Sequence, residues 1–193
     1  MDVSETQSVL AAAREYCMLE VLSRTGMMSH RGIMRVLNLN TNDYLGLSSV
    51  LDSEGCIRSD DNFVSISGRG RAFTDAIPLN TVSVLPDWSE YGDYRSGIIL
   101  RSPSDVSISE IHDAATSMGA DSTELFRMEN EYVIRESING TDTMDLENSR
   151  KLRFITGLKH EDVLVSVHSS SRGTANTVSA ALGLTELFKN TTT

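Results

Sequence analysis

Chemistry in this chain would have to come from four histidines, two cysteines, 27 Asp plus Glu and a few turns rich in serine and glycine. Three of the histidines, His112, His160 and His168, fall in the second half among many carboxylates, a composition from which a metal site can be built. No two of them share the short helical or strand spacing of a ligand pair, so the sequence predicts no metal. Cys17 and Cys56 sit on apolar faces of expected elements, which makes them small core residues rather than a disulfide or a metal pair. The run SSSRG at 169–173 lies between an expected strand and an expected helix. Either its amides cradle an anion with Arg172 as counter-charge, or it is an ordinary capped turn. Gly68 and Gly70 follow a strand and open a helix, the place of a dinucleotide fingerprint, but Phe73 holds the third glycine position and no acidic ribose partner follows. No serine lies in a nucleophile elbow, and no carboxylate pair has a recognisable catalytic placement. The expectation is a protein that is not an enzyme and uses no cofactor.

At 193 residues, 39% of them hydrophobic, the chain can hold one large domain or two small ones. No apolar run approaches the roughly 20 residues that cross a bilayer. The start, MDVSETQS, is polar and acidic where a signal peptide is basic and then apolar. A cytoplasmic protein with no membrane partner is expected. The net charge is −10: residues 1–84 carry 7 Arg against 10 Asp plus Glu, and residues 85–193 carry 10 Lys plus Arg against 17, hence −3 and −7. Neither half is basic, which works against nucleic-acid binding, whose affinity comes largely from cations on phosphates. Apart from three lysines the cations are arginines, whose planar fork suits bidentate contacts to phosphates and base edges.

The elements that must position these residues follow from spacing. Val9, Leu10, Ala13, Tyr16, Cys17, Leu19 and Val21 fall mostly three and four apart, one amphipathic helix over 7–25 that ends at Gly26. Ser29 caps a short second helix carrying Ile33, Met34 and Leu37. Asn40 caps a third, in which Leu45, Leu47, Val50 and Leu51 recur at helical spacing, and Gly55 ends it before a strand begins at Cys56 and Ile57. Two short helices joined by a tight turn are the helix-turn-helix signal. A turn cluster at 58–62 precedes the strand FVSI, and Ser67 then caps a last helix that Pro78 stops.

In that order of helices and strands, residues 7–77 resemble the winged-helix domains of MarR-like and archaeal regulators. LDSEGCI at the exit of the third helix and VSISGRGRAF on the way out of the wing carry the likeness. It implies that Thr41, Asn42, Leu45 and Ser49 face the major groove of double-stranded DNA, with Arg31 and Arg35 on the preceding helix and Arg58 in the wing on phosphates. Asn42 would pair with adenine, and Thr41 with a base edge or a thymine methyl. Arg69 and Arg71 are either further phosphate ligands or a solvated helix face. The third helix holds no Lys or Arg, and Asp43, Asp52, Glu54 and, at the wing tip, Asp60 and Asp61 surround it. A winged helix that binds protein is therefore the alternative.

Residues 79–94 read as a linker, in which LNTVSVL adds a short strand and Trp88, Tyr91 and Tyr94 pack the two domains together. Beyond it the patterns alternate: a strand at 97–100, a helix with a Ser107 and Glu110 capping box ending at Gly119, strands at 123–128 and 132–138, a helix capped by Asp145 ending at Gly157, a strand at 162–168 and a helix at 174–189. The sum is βαββαβα, a sheet with its helices on one face. The fold class expected is thus α+β. It comprises a winged helix, a three-helix helix-turn-helix plus β-wing, over 1–78, the linker 79–94, and an open-faced sandwich over 95–193.

Within this second part, IILRSPSDVSISEIHDAATSMGADSTELFRM and ITGLKHEDVLVSV are similar to passages of the HPr family, the phosphocarriers of the sugar phosphotransferase system. That family's phosphorylated histidine falls on Ser107, its arginine neighbour on Ser109 and the following proline on Glu110. Phosphohistidine chemistry thus lacks both its imidazole and its guanidinium, and a carrier role is not expected. The family's regulatory serine falls on Ser149, where a phosphate at a helix N-terminus is electrostatically welcome, or where a serine simply caps. Ser107, Ser149 and Arg172 are the candidates for an effector or a phosphate. The function expected is a DNA-binding transcription regulator acting as a homodimer, whose second domain is a non-catalytic, HPr-like unit that dimerises, binds a small effector or docks a partner protein. The alternative is a protein-interaction adaptor without DNA binding, and a third reading, a phosphorylation-responsive enzyme partner, depends on Ser149 alone.

Overall fold

Short polar side chains set most of the helix starts that the sequence marks. The computed structural model describes residues 3–77, 79–82, 94–103 and 106–191. Its first half runs α1 (Val3–Thr25), β1 (Met27–Ser29), α2 (His30–Leu37), α3 (Thr41–Ser53), β2 (Ile57–Ser59), β3 (Phe63–Ile66) and α4 (Gly68–Ala76). Ser29, Asn40 and Ser67 each accept the backbone N–H three residues on and so start α2, α3 and α4. Asn38 closes α2 in the left-handed conformation, and Gly55, at φ 71°, follows the end of α3. The three strands form an antiparallel sheet in the order β1-β3-β2.

The second half runs β4 (Asn80–Val82), β5 (Tyr94–Leu100), α5 (Ile108–Ser117), β6 (Ser122–Glu129), β7 (Tyr132–Ser137), β8 (Gly140–Thr143), α6 (Leu146–Thr156), β9 (Val163–Ser169) and α7 (Arg172–Thr191). Its six strands make one antiparallel sheet in the order β4-β5-β9-β6-β7-β8. The fold is therefore mixed α+β, with seven helices and two antiparallel sheets among the described residues. Pro78, Pro86, Trp88, Tyr91 and the side chain of Leu187 lie outside the described residues.

Several expectations need correction. The short strand expected within the linker is formed as β4, but it pairs with β5 and so belongs to the edge of the larger sheet. β8 is an added strand whose four residues are all exposed, so no alternation betrays it in the sequence. Ser107 is the N-cap residue of α5 but makes no capping bond; its hydroxyl meets that of Ser109 at 2.8 Å, and the expected capping box is not formed. The helices also lie on both faces of the larger sheet. Ile98, Leu100, Leu125, Val163, Val165 and Val167 pack toward α5 and α7, while Leu152 of α6 and Leu158 join Ile99, Phe126, Met128 and Leu164 on the opposite face.

One apolar core runs across both halves: Ala13, Cys17 and Leu22 of α1 and Ile33 and Leu37 of α2 belong to the same buried cluster as Val178, Ala181 and Leu182 of α7. The Cys17 thiol lies 3.7 Å from the carbonyl of Asn176, and Thr81 of β4 donates to the Glu20 carboxylate of α1 at 2.8 Å. The two halves meet closely at Gly173, where a Cβ would stand 2.2 Å from the carbonyl oxygen of Leu37. Only glycine lets the start of α7 meet the end of α2 this closely.

Candidate nucleic-acid interface

α3 has one buried and one solvent-facing side. Tyr44 and Leu51 point inward, whereas Thr41, Asn42, Leu45 and Ser49 are all exposed, Leu45 by 58%. Successive residues turn by about 100° at 3.6 per turn, so these four share one stripe about a quarter of a turn wide. Asp52 continues the stripe at its C-terminal end. The N-terminus of α3 is fixed reciprocally: the Asn40 amide oxygen accepts from the Asp43 N–H at 2.9 Å, and its Nδ2 donates to the Asp43 carboxylate at 2.9 Å.

His30, the first residue of α2, ties this helix to the β2–β3 hairpin. Its Nε2 lies 2.7 Å from the carbonyl oxygen of Asp60, which can only accept, so Nε2 carries the proton. In the neutral ring Nδ1 then accepts from the buried Tyr44 hydroxyl at 2.5 Å, and the two rings meet edge to face. The Asp60 carboxylate in turn accepts from the amides of Asn62 and Phe63, both at 2.8 Å, and these bonds hold it below the ordinary carboxylate range. The acidic hairpin tip is thereby held as a local turn.

Arg31, Arg35, Arg58, Arg69 and Arg71 are all exposed. Arg31 adjoins His30, and Arg58 lies on β2 two residues before Asp60, so both flank the hairpin. Arg69 stands elsewhere. It adjoins Gly70, which packs on the Cys56 carbonyl just past the far end of α3; burial and Glu54 push the Cys56 thiol above its ordinary value, and the Arg69 charge opposes them. That end of α3 is roughly 20 Å from Thr41 at 1.5 Å per residue. Gly70 packs against the Cys56 carbonyl, where a Cβ would come to 2.2 Å, so the second glycine of the Gly68 and Gly70 pair serves packing of α4 on β2.

The candidates of the second half are dispersed. In the run 169–173 the amide of Ser170 is taken by the Asp121 carboxylate at 2.6 Å, that of Ser171 by the Ser169 hydroxyl and that of Thr174 by the Ser171 hydroxyl. Gly173 abuts Leu37 and Asn38, and Arg172 lies over the Tyr94 ring at 5.6 Å. The turn is thus capped from within the chain, with three of its amides, those of Ser170, Ser171 and Thr174, taken by side chains. Ser149 is buried: its hydroxyl accepts from the Val133 N–H at 3.0 Å and donates to the Met144 carbonyl. A phosphate at Ser149 would have to displace this α6 to β7 contact. Ser107, half-buried, keeps its hydroxyl on Ser109.

The histidines separate as well. His112 faces the Thr123 hydroxyl at 3.4 Å, His160 is exposed, and His168 is fully buried. Among the described residues no three His, Cys, Asp or Glu side chains gather as metal ligands. Sequence reasoning missed one constellation, Glu124, Ser166 and His168, buried on the sheet face that also carries Leu164 and Phe126. His168 Nε2 lies 3.0 Å from the Glu124 carboxylate and 3.1 Å from the Ser166 hydroxyl, with Arg135 reaching Glu124 at 3.8 Å and Asp142 at 2.7 Å. Both contacts fall on the same ring nitrogen. A serine–histidine–acid relay needs the two on opposite nitrogens, so the group cements β6 to β9 instead of activating the hydroxyl. The alternation that places Ser166 and His168 on one side of β9 was the available signal.

No family model matches the chain, and no curated protein matches it. Among solved structures it is similar to the hypothetical protein PH0730 from Pyrococcus horikoshii OT3, with 13% sequence identity and a TM-score of 0.63, over 98% of this chain and 94% of that one. At that identity the likeness concerns the fold. Among the described residues no helix is long and apolar enough to cross a membrane.

Proposed function

We propose that residues 3–77 are a winged-helix head that binds double-stranded DNA, and that the protein is a non-enzymatic transcription regulator acting as a homodimer. One observation carries this reading: α3, held by its cap and by the His30–Tyr44 bond, turns an uncovered stripe of Thr41, Asn42, Leu45 and Ser49 to solvent, and the arginines of α2 and β2 are exposed as well. Support also comes from the β1-β3-β2 order, which sets the hairpin next to the two short helices as a wing. The order β5-β9-β6-β7 within the larger sheet suits an HPr-like unit with added strands, which we assign to dimerisation or to sensing a small effector or partner. Around the head, Arg31, Arg35, Arg58, Arg69 and Arg71 stand against Asp43, Asp52, Glu54, Asp60 and Asp61. A single head so balanced holds DNA weakly, and two-fold pairing over two half-sites supplies the rest.

Fluorescence anisotropy with random-sequence duplex over a salt series tests the proposal. Binding should appear at low salt and fall steeply, with Arg31→Ala and Arg35→Ala each lowering the log–log salt slope by about 1. Absence of binding at low salt would remove the regulator. The second reading, a protein-binding adaptor, is favoured by the exposed apolar side chains Leu45, Val50 and Phe63 among these carboxylates.

A further inference from the structure

α6 carries the opposite chemistry to the rest of the molecule. Its solvent side presents Arg150, Lys151, Arg153, Phe154 and Ile155, with one carboxylate, Glu147, a turn before Arg150 and Lys151, in a chain whose net charge is −10. Phe154 is 91% exposed, more than any other large apolar side chain among the described residues. None of the three cations takes part in an ion pair among the described residues, although five of the six ion pairs found there involve other arginines. The helix needs none of these side chains for its own attachment, which Ser149 and Leu152 provide on the buried side.

Beyond the helix end cations and carboxylates mix. Gly157 closes α6 in the left-handed conformation, and the chain then passes Leu158 into an open cleft of about 390 Å³ lined by Arg101, Ser102, Lys159, His160, Glu161 and Asp162. Inside the cleft the acids are engaged: the Asp162 carboxylate accepts from Arg101 and from the Lys159 amide, and Glu161 accepts from the Ser102 hydroxyl at 3.2 Å. Lys159 and His160 remain exposed at its rim.

We propose that α6 and the adjoining cleft dock an acidic polypeptide segment of a partner protein, one in which carboxylates flank an apolar residue that covers Phe154. Charge complementarity selects this occupant. Three unpaired cations around an exposed aromatic ring match alternating carboxylate and apolar side chains, and an aromatic anchor ringed by arginine is the composition of an interface centre. A nucleic-acid strand fits less well, because it needs successive stacking platforms along a groove, and α6 offers one ring on a convex helix. A bilayer needs a broad apolar face, and Glu147 with Asp145 occupies the first turn. A second copy is disfavoured by symmetry. Contact of α6 with the acidic, apolar face of α3 of another copy is heterologous, because α6 lies on the sheet face opposite α7, to which the head attaches, and it would propagate rather than close; pairing through the β6–β7 hairpin, which exposes Glu129, Glu131 and Tyr132, is the self-association that Phe154→Ser would abolish. The proposal is independent of whether the head binds DNA.

Anisotropy titration of the full chain against a labelled synthetic peptide of repeated Glu-Glu-Leu and Asp-Asp-Phe triplets tests it. Saturable binding is expected at low salt, weakened about tenfold or more by Phe154→Ser and by the Arg150→Glu/Arg153→Glu double change. These side chains are exposed, so folding is preserved, and circular dichroism melts verify it. Four outcomes would each overturn the proposal: no saturable binding at low salt, equal binding by both variants, tighter binding of a single-stranded oligonucleotide or of phosphatidylserine vesicles than of the peptide, or self-association that Phe154→Ser abolishes.

Discussion

Helices α3 and α6 begin alike, on Asn40 and Asp145 whose side chains accept the N–H three residues on, and each is anchored by a few buried side chains, Tyr44 and Leu51 in one, Ser149 and Leu152 in the other. Their outward faces differ completely. α3 shows Thr41, Asn42, Leu45, Ser49 and Asp52 without a cation, and α6 shows Arg150, Lys151 and Arg153 around Phe154. The same local rules therefore produce a face whose use depends on shape and borrowed arginines, and another whose use depends on its own charge. Geometry and electrostatics point to different helices, and each can be tested without the other.

The largest effect is expected at the joint between the halves. Gly173→Val forces a side chain into the Leu37 carbonyl and should cost about 3 kcal/mol in urea denaturation, as overpacking at a backbone contact does. In the folded fraction, duplex binding through α3 should weaken while peptide binding at α6 persists; equal loss of both would erase the distinction drawn between the helices. His30→Ala comes next. It leaves the buried Tyr44 hydroxyl and the Asp60 carbonyl without their partner, so a loss of about 1–3 kcal/mol in a thermal melt is expected, with duplex binding impaired and α6 unaffected.

Removing the cap of α3 with Asn40→Ala should cost about 1 kcal/mol, and the matching Asp145→Ala should loosen α6 alone, which hydrogen exchange on the two helices would separate. The smallest effect is a pH dependence. Backbone amides, those of Asn62 and Phe63 for Asp60 and that of Asn148 for Asp145, hold both carboxyls below their ordinary value. A depressed folded value means that the stabilisation is complete above the unfolded value of about 3.9 and is lost as pH falls through the lower folded one. Urea midpoints measured at about pH 6 and about pH 2.5 should drop less in Asp60→Asn and Asp145→Asn than in the parent chain, because the amides keep an acceptor that does not titrate.

Much of the local structure was legible. Ser29, Asn40, Ser67 and Asp145 cap as their types suggest, Gly26 and Gly157 end helices at positive φ, and Cys17 and Cys56 are buried free thiols. Where reading failed, a distant partner had won. Ser107 chose Ser109 over the helix amides, and Ser149 turned inward to Val133. The stripe of Thr41, Asn42, Leu45 and Ser49 was visible because helical spacing alone defines it. The cations of α6 were equally visible as letters, but that none of them closes an ion pair among the described residues, even with Glu147 a turn away, was not.

By itself the sequence determined where helices begin and end and which side of each is apolar, because caps, left-handed glycines and periodicity act within a few residues of chain. Tertiary structure alone decided the rest. That Gly173 touches Leu37, that His168 meets Glu124 across 44 residues, that α6 lies on the far face of the sheet, and that Arg150, Lys151 and Arg153 stay unpaired are all consequences of strand order. The pairing energies of alternative orders differ through contacts between residues far apart in the chain, and no short-range pattern records them.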